Sequence, residues 1–283
     1  GKKYGVLDKV LSGFKEREHS GWEDAFNLVK WKIDRLLGVD LREEQQLQML
    51  NDLSRYYSEL PFPIEQDEKY MYYMENSWFS YPDAVVLYGM LRHFSPERVI
   101  EVGSGYSSAL MLDTSLDNTT QFTFIEPYPD RLNKLLRPGD KGNSTIINKP
   151  IQKVNIDLFE TLGENDILFI DTSHVVKTQS DVVHIVSYIL PKLKQGVVVH
   201  FHDIYWPFDY PKDWLLDGRA WNEAYYLRAF LQYNNTFEII YFNSFMNSRY
   251  KKDVAAKMPF CLKQGKYKLT HGASSLWLKK KVT

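Results

Sequence analysis

Glu101, Gly103, Ser104 and Gly105 lie in the stretch VIEVGSGYSSAL, residues 99 to 110. A short apolar run there turns through two glycines into a helix-compatible segment that opens at Ser107. Such a turn lets backbone come close to a ligand and aims free N–H groups at it. A second apolar run, QFTFI, ends in Glu126, 21 residues past Gly105. In a βαβ unit a carboxylate at that place reaches the two hydroxyls of a ribose. The pair reads as a nucleoside-cofactor site. Farther on, DILFI ends in Asp171, Thr172, Ser173 and His174, and VVVHF ends in His202 and Asp203. Two carboxylates and two imidazoles at strand ends can carry proton transfer beside that cofactor.

These residues meet only if the elements deliver them to one edge. From Tyr81 onward the pattern alternates strand and helix. It predicts a helix over 83–93, a strand at 98–102, a helix after Ser107 and a strand from Gln121. A helix over 130–136, a strand at 144–148 and a short helix over 156–162 follow. The strand at 166–170 leads into a long amphipathic helix carrying Val175, Val176, Val182, Val183, Val186, Ile189 and Leu190. Then come a strand at 196–201, a helix over 221–232, and strands at 237–242 and 274–279 separated by a polar loop. Repeated βα alternation predicts an α/β fold with a doubly wound, mostly parallel sheet. The short connection between the last two strands lets them pair antiparallel. In open α/β sheets ligands bind beyond the carboxyl ends of the strands, where every residue named above stands. Residues 1–75 read as a helical N-terminal extension, serving as a lid, a dimer contact or a substrate wall. Ala25, Phe26, Val29, Ile33, Leu36 and Leu37 share one helical face, and a second helix covers 41–60, stopped by Pro61 and Pro63. Residues 76–283 form the main domain.

A dinucleotide fold wants G-x-G-x-x-G. Here the third position is Ser108, and the acidic Glu101 stands two residues before the first glycine, where it would repel a pyrophosphate. E-x-G-x-G-x-S followed by a ribose-binding acid resembles the class I S-adenosylmethionine (SAM) methyltransferases. On that resemblance the sheet has seven strands with the last reversed, a Rossmann-like methyltransferase fold. SAM is then held by Glu101, Gly103, Ser104, Gly105, Ser107, Glu126, Pro127 and Asp171. FIDTSHVVKTQSD followed by HFHD resembles the metal-assisted small-molecule O-methyltransferases, among them catechol O-methyltransferase and the macrolide-sugar enzymes. The resemblance implies a divalent metal, Mg²⁺ or Mn²⁺, on Asp171, His202 and Asp203, and a general base at His174. The relatives have an acid where His202 stands, and a neutral nitrogen ligand suits Mn²⁺, Fe²⁺ or Zn²⁺ better than Mg²⁺. Residues 76 to 280 as a unit look like a large bacterial group of class I methyltransferases. The implied acceptor is a hydroxyl of a small molecule or sugar.

Several residues also have a plainer reading. Asp171 can cap the next helix. His174, placed in the first turn of that helix, can be a solvated residue; as a base, the helix N-terminus would lower its pKa and keep it neutral. His202 and His200 can be core histidines, and Glu223 in WNEAY reads as a polar surface contact. Trp206, Phe208, Tyr210, Trp214 and Trp221 frame an aromatic pocket or a packed loop. The rival functions are a catalytically silent SAM-binding module and an NAD-type Rossmann oxidoreductase.

The 283 residues carry a formal charge of −1, so no basic field favours nucleic acid. No run is long and apolar enough for a membrane span. The opening GKKYGVLDKV lacks an apolar signal core and Cys261 is the single cysteine, so the expected setting is cytoplasmic. The expected partner is a small molecule, with a homodimer allowed.

Overall fold

The computed structural model describes residues 36–114, 120–137, 144–267 and 272–281. The helical face read from Ala25 to Ile33 lies outside them. Seven strands form one sheet: β1 (Arg98–Val102), β2 (Gln121–Ile125), β3 (Ser144–Ile147), β4 (Ile167–Ile170), β5 (Val198–Phe201), β6 (Phe237–Phe242) and β7 (Leu276–Lys280). Their order is β3-β2-β1-β4-β5-β7-β6. The first five run parallel, and β7 pairs antiparallel with both β5 and β6. This is the doubly wound, mostly parallel sheet that the alternation predicts, with the seven strands and reversed last strand that the resemblance implies. The central strands ILFI and VVHF are buried along their whole length, as strands covered on both faces must be.

Helices α1 (Glu43–Ser54) and α2 (Tyr81–Phe94) precede β1. Leu50 and Leu53 of α1 are buried, and Leu53 packs on Gly89 of α2. The Gln46 amide donates to the Leu41 carbonyl at 2.5 Å and accepts the Phe242 N–H at 2.8 Å. That buried glutamine ties α1 to β6. Helices α3 (Tyr106–Asp113) and α4 (Asp130–Leu135) follow β1 and β2.

The structure corrects two sequence readings of this part of the chain. The helix after β4 does not begin near Val175: residues 171–180 form a loop, and α5 (Asp181–His184) starts behind Ser180, whose Oγ accepts the Val183 N–H. Helical structure then continues through a π turn, Ile185–Ile189, and Leu190–Lys192. The apolar period there reports burial and does not show where the backbone starts to coil. Between β6 and β7 the polar loop holds α8 (Asn243–Arg249) and α9 (Lys251–Lys257), which follow α6 (Lys212–Leu216) and α7 (Glu223–Leu231) in the chain. Only Asn243, Phe245, Met246 and Val254 of α8 and α9 are buried, too sparse an apolar stripe to announce two helices.

Register makes the site. Val102 aligns with Ile125 and with Ile170, and Ile170 aligns with Phe201. The next residues, Gly103, Glu126, Asp171 and His202, therefore emerge side by side at one edge. The order reverses between β1 and β4, which is where an open sheet leaves a crevice.

Candidate active site

A cavity of about 450 Å³ lies at that edge, walled by the Gly103–Ser107 turn, Glu126, the 171–174 loop and the His202–Asp203 pair. Gly103 has φ +84°, and a Cβ there would fall 1.8 Å from the Asp171 carbonyl oxygen. Only glycine lets the β1 turn pass so close to the end of β4. Behind the turn Glu101 is fully buried. Ser107 Oγ donates to one of its oxygens at 2.5 Å and Ser108 Oγ to the other, while Ser108 Oγ also accepts the Gly105 N–H at 2.9 Å. Ser108, the residue that breaks the dinucleotide pattern, thus knots the turn to the acid beneath it. Burial pushes the Glu101 carboxyl up to about 8, against both serine hydroxyls. Glu126 lines the cavity and accepts the Tyr128 N–H at 2.8 Å and the Ser104 N–H at 3.3 Å. Pro127 is not part of the cavity wall, and Tyr128 is exposed.

The 171–174 loop is held from behind. Ser173 donates through N–H and Oγ to Asp181 at 2.8 and 2.6 Å. The His174 carbonyl accepts the N–H groups of Asn222 and Glu223, at the start of α7, at 3.0 and 3.2 Å. Those groups have no partner inside their own helix, so the loop and α7 satisfy each other. His174 is held at φ +58° and Asp203 at +56°. This left-handed backbone costs an ordinary residue about 1–3 kcal/mol and persists where the surroundings fix it.

His174 and Glu223 depart from their sequence readings. His174 is 4 % exposed and lies in a loop, not in the first turn of a helix. Its Nδ1 is 2.8 Å from Glu223 Oε2, and its Nε2 is 3.4 Å from Asp171 and 3.8 Å from Asp203. Burial works to lower its pKa, but the carboxylates of Asp171, Glu223 and Asp203 raise it well above 6.5. The sign is opposite to the helix-dipole expectation, because three carboxylates surround the ring. Glu223 is 1 % exposed, not a surface contact. It accepts from Thr172 Oγ1 at 3.2 Å as well as facing His174. Burial raises its pKa while His174 and Thr172 lower it. Nothing in the local sequence links two residues 49 positions apart; the docking of α7 does so.

His202 is buried, and neither ring nitrogen has a hydrogen-bond partner among the described residues. Nδ1 faces Asp203 at 3.5 Å and Asp171 at 3.9 Å, and Nε2 faces Asp83 at 3.8 Å. These are charge contacts, too long or too poorly aligned for good hydrogen bonds. Burial opposes protonation, but Asp203, Asp171 and Asp83 push its pKa up to about 10. Burial likewise opposes the Asp203 carboxylate, which His202 and His174 outweigh, holding it below the usual carboxylate range. Asp83 sits in the first turn of α2, and nothing in the sequence marks it. It accepts from Ser274, Ser275 and Asn243 at about 3 Å and so pins the start of β7 beneath His202. His200 is a core residue, stacked on Phe169 at 3.7 Å.

Asp171, His202 and Asp203 converge on one cavity. Among the described residues no group of three His, Cys, Asp or Glu side chains is placed to hold an ion. A ligating histidine must be neutral, and the neighbouring carboxylates favour the charged form of both His202 and His174. Of the aromatic five, Trp214 and Trp221 line the cavity. Trp206 and Phe208 pack against Phe242, and Tyr210 against Trp221 from outside the cavity wall.

The chain is similar to several known proteins. Residues 100–204 match a family model described as a methyltransferase domain. An uncharacterized protein of Archaeoglobus fulgidus is 34 % identical over 139 residues, 47 % of this chain. The chain spans 62 % of that relative's length. An S-adenosylhomocysteine-bound methyltransferase of Podospora anserina is similar at 13 % identity and a TM-score of 0.45, covering 92 % of this chain and 96 % of its own. A precorrin-6y C5,15-methyltransferase of Geobacter metallireducens is similar at 15 % and 0.42, covering 78 % and 99 %. No described helix is long and apolar enough to cross a membrane. The match to a methyltransferase domain model spans the Gly103 turn, Glu126, Asp171, His202 and Asp203, which stand at one edge of the seven-stranded sheet with its reversed β7.

Proposed function

We propose that the chain transfers a methyl group from SAM to a hydroxyl of a small-molecule or sugar acceptor, with His174 as the proton-accepting group and Glu223 holding it. The observation that carries this reading is the 2.8 Å His174–Glu223 contact at a cavity that also contains the Gly103 turn and Glu126. Glu223 fixes the ring so that Nδ1 bears the hydrogen and Nε2 faces the cavity between Asp171 and Asp203. SAM, when bound, supplies a methyl group on a sulfonium as the electrophile. The chain's residues fit it: Gly103 lets the turn lie against the end of β4 beside Asp171, and Glu126 is oriented by two backbone N–H groups. The buried Glu101 gains a reason to ionise when an ammonium lies over the turn. Positioning provides most of the rate in such a transfer, and the base contributes where the hydroxyl proton must leave. A near-neutral chain with one buried cysteine suits a cytoplasmic enzyme acting on small molecules.

Two outcomes test the binding side. A charge-assisted hydrogen bond is worth roughly 1.5–3 kcal/mol, so Glu126→Ala is expected to weaken SAM about ten- to a hundredfold by calorimetry. Unchanged affinity in that variant, or tight NAD binding by the parent, would remove Glu126 from the ribose. Because Asp171, His202 and Asp203 are read as an ion-pair cluster, excess EDTA is expected to leave methyl transfer within about twofold of its starting rate. Loss in EDTA with recovery on adding Mn²⁺ would return those residues to the metal role that the resemblance implies.

A further inference from the structure

The cavity has a second positive feature that the transfer reaction does not use. Arg219 stands in the short connection between α6 and α7, after Gly218 at φ +80°, and its N–H donates to the Trp214 carbonyl at 3.0 Å. Its guanidinium lies over Trp214 at 4.3 Å and over Trp221 at 5.1 Å, and the residue lines the cavity. Two indoles at 4.9 Å and 80° to one another form a corner around the guanidinium. Stacking uses the face of a guanidinium and leaves the N–H edge open, which is the edge that takes a carboxylate or phosphate through two parallel bonds.

The place of this cation matters. Arg131, the other arginine of the cavity, belongs to the cofactor end: it stacks on Trp78 at 3.7 Å and abuts Gly105. Arg219 belongs to the other end, because Trp221, on which it stacks, also packs on the His174 ring at 4.2 Å. Among the described residues no carboxylate forms an ion pair with Arg219, whereas Asp171, Asp203 and Glu223 face the histidines. A half-buried, stacked fork one indole away from the proton-accepting group is a recognition element for the acceptor.

Resting on the methyltransferase reading, we infer that the acceptor is an anionic oxyacid, a ring or sugar bearing a carboxylate or phosphate that Arg219 grips while its hydroxyl faces His174. Trp214 and Trp221 supply flat apolar walls for either kind of ring. The shared chemistry is the oxyanion, and matched probes separate its sources.

The test is calorimetry on the full chain loaded with S-adenosylhomocysteine. The aromatic probes are 3,4-dihydroxybenzoate against catechol; the sugar probes are glucuronate and glucose 6-phosphate against glucose. At least one anionic probe is expected to bind about ten- to a hundredfold more tightly than its neutral counterpart, and the better of carboxylate and phosphate names the group. Arg219→Met should erase that preference and Arg219→Lys should restore part of it, with S-adenosylhomocysteine affinity within about twofold of the parent in both. The inference is overturned if the parent prefers no anionic probe, or if the preference survives in Arg219→Met. If S-adenosylhomocysteine itself fails to bind, the methyltransferase reading falls and this inference with it.

Discussion

Replacing His174 with alanine is expected to lower kcat for methyl transfer by about 10²–10⁴, the usual cost of losing a general base, with SAM affinity nearly unchanged. The expectation rests on geometry: the ring is buried, Nδ1 is fixed on Glu223 at 2.8 Å and Nε2 faces the cavity. Its pH dependence follows from the charges. Asp171, Glu223 and Asp203 stabilise the imidazolium, against the effect of burial, so the pKa lies well above 6.5. A base must be neutral, so kcat/KM should fall toward acid with its inflection above pH 6.5, not at or below it. Glu223→Gln removes one of the three carboxylates and should move that inflection toward acid while lowering kcat, because the ring loses its orienting partner. A purely structural Glu223 would lower stability and leave the inflection in place. A kcat loss under about threefold in His174→Ala, measured with a labelled SAM methyl group and 3,4-dihydroxybenzoate as probe acceptor, would strip His174 of the role.

The second large effect is expected at Gly103. Gly103→Ala must place a Cβ 1.8 Å from the Asp171 carbonyl oxygen, and it must do so at φ +84°. Left-handed backbone costs an ordinary residue about 1–3 kcal/mol, and overpacking a tight site costs a similar amount. Destabilisation of about 3 kcal/mol or more is therefore expected by chemical denaturation, with SAM binding lost because the end of β4 is pushed away. Gly105→Ala is the internal control: its backbone is extended, and the added Cβ would meet only the flexible Arg131 side chain at 3.1 Å. It should cost less than about 1 kcal/mol. Equal destabilisation by the two substitutions would show that the turn is not wedged against β4.

Much of this site is legible in the sequence because strand ends are. An apolar run followed by Gly103, Glu126, Asp171 or His202 marks both the strand and the residue that leaves it, and parallel register then sets those residues abreast. The reversed β7 is what the resemblance implies and the pattern merely allows, and α8 and α9 in the connection before it are not announced. What stays hidden is whatever depends on docking between distant segments. Glu223 meets His174 because α7 leans its N-terminus on the 171–174 loop, and Asp83 reaches His202 because β7 starts beside α2. The left-handed backbone at His174 and Asp203 is tolerated by these residue types but not fixed by them, since tertiary contacts enforce it. For the same reason the helix that periodicity starts at Val175 begins only behind Ser180: the loop before it spends its hydrogen bonds on Asp181 and α7.

The most direct test of the central claim is a crystal structure of the chain with S-adenosylhomocysteine bound. Its ribose hydroxyls should lie within hydrogen-bond distance of the Glu126 carboxylate, its amino acid end against the Gly103 turn above Glu101, and its sulfur toward the side of the cavity that holds His174. A nucleoside bound away from Glu126, or a sulfur that faces away from His174 with Asp171 between them, would contradict the account.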